Sequence, residues 1–248
     1  MERLKISTFQ VLTLAGLAAL WEISVRAGWV DPLFVPAPSA VARAFAQIFA
    51  DALPRLGDTF AKTLVAYVLS VVLGVSFGLV VGSVRYLHNV LNPYLVVLYG
   101  IPKILVLPWI ILISGMGFTP ALFYATLHGF FPVALLVIGG VRDVDQTLIT
   151  VARSMGASQG QLYRKVMLPA VLPSVLAGMK IAIVFCLLGV LIVEMFAGIR
   201  GMGFLLSSFA NQFAAAKLFA ATALLSALSI AVVLSLEALG TRLGRWRA

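Results

Sequence analysis

The chain has 248 residues, of which 62% are hydrophobic and 11% are charged, and its mean hydropathy is +1.07. Soluble domains are about 45–50% apolar and about 25% charged, so this composition excludes an ordinary soluble protein and indicates surface that faces lipid. The net charge of +9 does not indicate nucleic-acid binding, because lysines and arginines lie between apolar segments and at the chain ends. Cys186 is the only cysteine, and His88 and His128 have no ligand partners at metal-binding spacing, so neither a disulfide nor a metal centre is predicted.

Six apolar segments are long enough, at roughly 20 residues each, to cross the hydrocarbon core as helices. They are residues 9–27, 63–84, 94–114, 120–140, 174–196 and 218–239. The segments do not alternate between polar and apolar residues, which argues against a β-barrel. Lipid offers no partner for backbone N–H and C=O groups, so each span must be a helix. The sequence therefore predicts an all-α membrane protein with six transmembrane helices.

The first segment has features of a signal peptide, because Arg3 and Lys5 precede its apolar stretch. However, Trp21, Glu22 and Arg26 follow without a convincing cleavage site, and we expect a retained span. Glu22 and Arg26 are four residues apart, which predicts an ion pair along one helix face.

Loop cations predict the orientation of the spans. With the N-terminus in the cytoplasm, more lysines and arginines lie inside than outside, and Arg242, Arg245 and Arg247 follow the last span. Both termini are therefore expected in the cytoplasm. The expected segments are a first span with a proline-rich outer loop, a five-helix core and a basic cytoplasmic tail, at residues 1–58, 59–240 and 241–248.

Two features concern the second span and the loop before it. Residues 28–62 are punctuated by prolines, so we expect a loop that contains a short separate helix beginning at Ser39. In the second span Gly74, Gly78 and Gly82 recur every four residues. This spacing predicts close contact with another helix, either within one bundle or between two copies of the chain.

Interruptions and charges in the spans mark candidate pathway residues. Two prolines in the third span predict a kink, which is either a packing feature or the mark of a pathway-lining helix. Near the outer end of the fifth span, a glutamate precedes a glycine-rich loop and either holds that loop or acts as a gate. The resulting pathway or gate candidates are Pro102, Pro108, Glu194, Gly201 and Gly203.

The loop between the fourth and fifth spans has the clearest local signals. Residues 147–155 have helical spacing, and Gly156 can end that helix in the left-handed conformation. Ser158 and Gln161 have the spacing of a capping box for a second helix, which is expected to stop before Pro169. The exposed, basic turn is suited to docking a partner, although it could also be a plain connection.

This loop resembles the EAA motif of binding-protein-dependent ABC importer permeases. The motif has a glycine, an aliphatic residue ten positions on and then Leu-Pro, matched here by Gly156, Val166, Leu168 and Pro169. Thr150 stands at the glutamate position of the motif, so the acidic group is missing. The resemblance implies that the residues of the ATPase-coupling loop are Thr150, Ala152, Arg153, Gly156, Ala157, Ser158, Val166, Leu168 and Pro169.

Further segments resemble the nitrate/sulfonate/taurine branch of these permeases. They are residues 36–39, 101–103, 107–108, 115–117, 168–180, 194 and 201–204. The resemblance implies a type I ABC importer permease fold in a bacterial inner membrane, with a cytoplasmic coupling helix between the fourth and fifth spans. It also implies a separate cytoplasmic ATPase and an extracytoplasmic solute-binding protein. One motif loop per chain, where a transporter needs two, favours a homodimer, with a heterodimer with a paralogous permease as the alternative.

The sequence contains no P-loop motif, so we expect ATP to be bound by the ATPase partner and this chain to be a transport subunit without enzymatic activity or cofactor. The branch implies a small anion such as a sulfonate, taurine or nitrate, with a thiamine-precursor pyrimidine or a flavin as the alternative. A secondary transporter or channel is a second possibility, although neither a coupling-ion site nor internal repeats are evident. An intramembrane enzyme is least supported, because the serines in the spans have no evident base.

Overall fold

The computed structural model describes the backbone of residues 2–243, with side chains described for residues 9–10 and 12–235. The described chain folds into ten α-helices without a strand. The helices are α1 (Glu2–Arg26), α2 (Pro38–Ser83), α3 (Arg85–Gly100), α4 (Leu107–Ser114), α5 (Phe118–Arg142), α6 (Gln146–Ser154), α7 (Gln159–Leu162), α8 (Leu168–Ala197), α9 (Met202–Asn211) and α10 (Ala215–Leu243). The predicted cations Arg3, Lys5, Arg242, Arg245 and Arg247 have side chains outside the described residues. The all-α class is confirmed.

Helix length and composition support a multi-pass membrane protein. Four continuous helical segments among the described residues can cross a membrane, and α3 with residues 103–114 forms a fifth, bent pair. The first predicted span lies in α1, which ends at Arg26. The predicted Glu22–Arg26 ion pair is confirmed at 2.7 Å, and Glu22 also accepts hydrogen bonds from the Ser39 amide and hydroxyl of α2.

The predicted separation of a short outer helix from the second span is wrong, because α2 runs without interruption for 46 residues. Pro54 lies inside this helix and does not end it. The buried stripe Ala44, Ile48, Ala52 and Leu56 recurs every four residues on both sides of the proline. This stripe packs against α9 and α10, and its burial offsets the one hydrogen bond that the proline cannot donate.

The third predicted span is not one continuous helix, because the chain bends by 88° between α3 and the following segment. The two prolines act differently. Ile101, directly before Pro102, has an extended backbone (φ −67°, ψ 130°), as expected for a residue that precedes proline. Pro108 lies in the first turn of α4, where a missing N–H leaves no hydrogen bond unmade. The predicted kink is thus a break at Pro102 alone.

The second and fifth helices pack along a seam of glycines. Each of the three α2 glycines faces a valine of α5, and the pairs are Gly74 with Val133, Gly78 with Val137 and Gly82 with Val141. An added Cβ atom would lie 2.7–2.8 Å from the valine Cβ atoms, which is closer than real side chains approach. The prediction of a close helix contact is confirmed, and the contact lies within the bundle of one chain.

The fifth helix is the centre of the bundle, because α8 packs against its other side. The shared core contains Val133, Val137, Cys186 and Val190, all without solvent exposure. The sites described below lie at the two opposite ends of this bundle. One end carries α6 and α7, and the other carries α9 with the loop before it.

Candidate functional site

The loop after α5 begins with a capped helix. The carboxylate of Asp145 accepts a hydrogen bond of 2.8 Å from the Thr147 amide and so caps the N-terminus of α6. This backbone hydrogen bond favours the ionised carboxylate and lowers the pKa of Asp145 below its ordinary value. The start of α6 is therefore capped by a residue only two positions away.

The turn after α6 is confirmed as predicted. Gly156 has φ +79°, the left-handed conformation that favours glycine. The Ala157 amide donates to the Ala152 carbonyl at 3.0 Å, and the Gly156 amide donates to the Arg153 carbonyl at 2.9 Å. These bonds satisfy carbonyls that the end of α6 would leave unpaired.

The second helix of the loop begins with the expected capping box. The Ser158 hydroxyl accepts from the Gln161 amide at 3.4 Å, and the Gln161 side chain accepts from the Ser158 amide at 2.9 Å. The expected stop before Pro169 is wrong. A π-helical segment at residues 163–167 continues directly into α8, so Pro169 lies inside one continuous helical segment, Gln159–Ala197.

The α6 helix presents an apolar face to its surroundings. Leu148, Val151 and Met155 are 53%, 51% and 83% exposed. Thr150 is also exposed, and its hydroxyl donates to the Gln146 carbonyl of the same helix at 2.9 Å. The Thr150 hydroxyl, at the position that holds glutamate in the EAA motif, is therefore hydrogen-bonded within α6.

At the other end of the bundle, Glu194 is the centre of a buried polar network. Its side chain is 1% exposed and accepts hydrogen bonds from Lys62 Nζ (2.9 Å), Thr59 Oγ1 (2.8 Å) and the Gly203 amide (2.9 Å). Lys62 also pairs with Asp58 at 2.7 Å. Every oxygen of the buried carboxylate has a donor, as burial of a charge requires.

This network fixes the glycine-rich loop before α9. Gly201 has φ +106° and lies against the carboxylate of Glu194, so that a Cβ atom at this position would overlap it. The Met202 amide donates to Thr59 Oγ1 at 2.8 Å, and a Cβ on Gly203 would lie 2.6 Å from the Glu194 Cβ. The geometry agrees with the expectation that Glu194 holds the glycine-rich loop.

Comparison with known proteins gives the family. A family profile described as "Binding-protein-dependent transport system inner membrane component" matches residues 70–246, which is more than half of the chain. The chain belongs to this family.

Several curated relatives of the permease carry transport names. The taurine transport system permease protein TauC of Escherichia coli is 29% identical over 246 residues, covering 96% of this chain and 90% of TauC. The putative aliphatic sulfonates transport permease protein SsuC of Bacillus subtilis is 27% identical and covers 80% of this chain and 72% of its own. The riboflavin transport system permease protein RibX of Chloroflexus aurantiacus is 28% identical, and the match covers 96% of this chain and 89% of RibX.

A solved structure shares the fold of the permease. An inward-facing structure of the MetNI methionine ABC transporter superposes with a TM-score of 0.68 at 21% identity, covering 82% of this chain and 98% of that chain. At this identity the likeness concerns the fold, and it agrees with the expected type I importer permease architecture.

The structure brings some predicted residues of the permease together and leaves others apart. Glu194, Gly201 and Gly203 meet at the α9 end. Pro102 lies at the bend after α3, whereas Pro108 lines an apolar groove of about 490 Å³ that includes Phe196 of α8.

Three residues in these regions were missed as site residues from the sequence. Thr59 and Lys62 are far from Glu194 along the chain, and their spacing of three residues was the signal for a shared face of α2. Lys103 beside the bend donates to the Tyr99 carbonyl at 3.0 Å and lies 4.6 Å from the centre of the Tyr99 ring. The sequence offered two signals there, the neighbouring Pro102 and the family resemblance of residues 101–103.

Proposed function

We propose that this permease forms part of the translocation pathway of an ATP-driven importer and is coupled to a separate cytoplasmic ATPase. The observation that carries the proposal is the protruding α6–α7 loop, with its left-handed turn at Gly156 and the exposed apolar face of α6 beside it. An exposed apolar helix next to a fixed turn fits a groove in a partner protein. A rigid lever of this kind can pass ATP-driven movement to the spans.

The coupling contact would use the residues that match the EAA motif. In the structure, exposed Arg153 and Ser158 flank the Gly156 turn, while Val166 and Pro169 lie at the entry to α8. We assign docking to the complete set Thr150, Ala152, Arg153, Gly156, Ala157, Ser158, Val166, Leu168 and Pro169. Since Thr150 replaces the acidic residue, docking here relies on shape and apolar contact more than on that charge.

The orientation follows from this assignment. The loop end of the bundle would face the cytoplasm, together with Arg142, Arg153, Arg164 and Lys165, in keeping with the excess of cations on cytoplasmic loops. Both chain termini would then be cytoplasmic. The α9 end would face outward and receive solute from an extracytoplasmic binding protein, as the family description suggests.

The assembly proposed is two copies of this chain, two ATPase subunits and one binding protein. Each chain supplies one α6–α7 loop, and two ATPase subunits need two such loops. The chain would bind no nucleotide or cofactor of its own, since its sequence lacks a P-loop motif.

The proposed solute is a small organic anion of the sulfonate or taurine type. The names of TauC and SsuC support it, whereas the name of RibX keeps a flavin, and a thiamine-precursor pyrimidine with it, as the alternative. Lys103 adds a physical reason. Within the described residues no carboxylate lies within 4.0 Å of this ammonium group, so its charge is available to an anion near the bend.

The candidate pathway residues have different roles in this scheme. We propose that Pro102 and Pro108 shape the bent segment that lines the pathway. We further propose that Glu194, Gly201 and Gly203 hold α9 as one body at the outer gate, because their network is buried and fully paired.

Affinity copurification from membranes, with mass spectrometry, tests the coupling. The variants are Gly156→Arg and, as the matched control, Gly57→Arg, because Gly57 is exposed on α2 with no atom within 4 Å of an added Cβ. We expect an ATPase subunit with the wild type and with Gly57→Arg, and its loss in Gly156→Arg. If no ATPase accompanies the wild type in mild detergent, the ATP-driven assignment fails and a secondary transporter or channel takes its place.

A further inference from the structure

A cavity of about 560 Å³ lies where the ends of α2 and α5 meet the α6–α7 loop. Three arginines from three different elements line it: Arg85 at the start of α3, Arg142 at the end of α5 and Arg153 in α6. We call this cavity the arginine pocket. Arg85 is 57 residues before Arg142 in the sequence, so its approach to the other two arginines is a property of the fold.

The positive charge of the arginine pocket is not neutralised by the rest of the described chain. None of the three guanidinium groups forms an ion pair within 4.0 Å among the described residues. The nearby acids Asp143 and Asp145 do not line the cavity, and the Asp145 carboxylate is bonded to the Thr147 amide. A concave surface with three unpaired guanidinium groups attracts anions.

A second observation indicates a ligand with hydrogen-bond acceptors. Ser83 lines the same cavity, and its hydroxyl is buried without a hydrogen-bond partner among the described residues. A buried polar atom of this kind is costly unless something bonds to it. Guanidinium groups match the oxygen geometry of phosphate in bidentate pairs, and a serine hydroxyl can donate to a remaining oxygen.

The position of the pocket favours a phosphate at the membrane surface. Gly82 and Val141, which line the pocket, lie one residue before the ends of two segments that are long and apolar enough to cross a membrane, and such ends are expected near the membrane surface. Of the residues assigned to docking, Arg153 alone is among those that line the pocket, and the residues of the Gly156 turn do not line it. Basic pockets between transmembrane helices at this depth suit lipid headgroups.

We propose that the arginine pocket binds a phosphate group, that of an anionic phospholipid such as phosphatidylglycerol. The phosphate would bridge Arg85 and Arg142 at the span ends to Arg153 in α6, and Ser83 would donate to it. The bound headgroup would then tie the α6–α7 loop to the bundle. Free inorganic phosphate has the same chemistry and is the other source that the experiment distinguishes. This binding site is additional to the proposed transport function and does not depend on the identity of the solute.

Native mass spectrometry of the full chain, released from micelles that contain phosphatidylglycerol and phosphatidylcholine, tests the proposal. The variant is Arg85→Gln with Arg142→Gln and Arg153→Gln, and the matched control is Arg164→Gln, an exposed cation of the same loop outside the pocket. Since one arginine near an anionic surface changes affinity about fivefold, removal of three should weaken phosphatidylglycerol binding roughly a hundredfold. The control Arg164→Gln should bind phosphatidylglycerol as the wild type does. A further variant, Ser83→Ala, tests the hydroxyl group and should bind the lipid about fivefold more weakly.

Equilibrium dialysis with labelled inorganic phosphate separates the two sources. Displacement of phosphatidylglycerol by millimolar phosphate supports a pocket open to soluble phosphate, whereas retention of the lipid supports a lipid site. Both of these results support the proposal only if the triple arginine variant no longer binds the ligand. Equal lipid binding by wild type and triple variant overturns the proposal, because the lipid then only surrounds the spans. Absence of binding by both probes also overturns it and leaves an acidic surface of a partner protein as the reason for the arginines.

Discussion

Two loops at opposite ends of this permease each depend on a glycine with a positive φ angle, and their surroundings differ completely. Gly201 lies against the buried carboxylate of Glu194, whereas an added Cβ on Gly156 would meet no atom within 4 Å. The first glycine is constrained by tertiary packing as well as by its backbone. The second is constrained by its backbone alone.

This difference indicates how each loop works. The loop before α9 is held by a network that reaches Thr59 and Lys62 on α2, so it moves only with the bundle. The Gly156 turn is held by hydrogen bonds within its own few residues, and the exposed apolar face of α6 has no described partner within the chain. The loop before α9 is held by contacts within the chain, whereas we propose that the α6–α7 loop takes further contacts from a partner.

The largest expected effect comes from removing Glu194, the centre of the buried network that holds the loop before α9. Glu194→Ala removes the buried partner of Lys62 and the acceptor of the Thr59 and Gly203 hydrogen bonds, while Lys62 keeps its ion pair with Asp58. Breaking a buried pair costs about 3–5 kcal/mol of unfolding free energy, and we expect a loss of up to that size. Thermal unfolding of the full chain in detergent measures the loss. The matched control is Asp51→Asn, which removes an exposed ion pair with Arg55 (3.3 Å) and should cost less than about 1 kcal/mol. Equal stability of the two variants would contradict the importance of the buried network.

The two glycines allow a direct comparison by the same substitution. Gly156→Ala should cost about 1–2 kcal/mol, because a left-handed backbone is its only penalty. Gly201→Ala has that penalty and also displaces the Glu194 carboxylate, so its unfolding midpoint in the same thermal assay should fall further.

A double-mutant cycle identifies the source of the extra cost. Gly201→Ala combined with Glu194→Ala should be non-additive by about 0.5–3 kcal/mol, since the second change removes the overlapping carboxylate. Gly156→Ala with Glu194→Ala should be additive within about 0.5 kcal/mol, because the two sites lie at opposite ends of the bundle. Additivity in both cycles would refute the described packing at Gly201.

The same contrast decides what could be predicted from sequence. The α6 end, the Gly156 turn and the Ser158 capping box involve residues within five positions of each other, so local rules were sufficient. The partners of Glu194 could not be derived in this way. Thr59 and Lys62 are 135 and 132 residues away, and which helix faces meet depends on the packing of the whole bundle.

The errors about the helices have a related cause. Proline predicts a local disruption, but its consequence depends on the surroundings. Pro54 is accommodated because a buried stripe continues past it on α2, and Pro169 follows a π-helical turn inside a continuous helical segment. At Pro102 the helix is interrupted, and the chain direction changes by 88°. The glycine repeat of α2 likewise predicted a close contact without indicating that its partner is α5.

The smallest expected effect concerns the local capping of α6 and its dependence on pH. Because the bond from the Thr147 amide lowers the pKa of Asp145 below its ordinary value of 3.8, the carboxylate stabilises the start of α6 above about pH 3.8. That contribution is lost as the pH falls through the lower, folded-state pKa. Hydrogen exchange of the α6 amides between pH 3 and 6, corrected for intrinsic rates, measures it. Asp145→Asn can still accept the bond but does not titrate, so its α6 protection should lack this step. The same pH-dependent loss of α6 protection in wild type and Asp145→Asn would mean that another group titrates near the start of α6. The cap from Asp145 would then not be what stabilises this helix end.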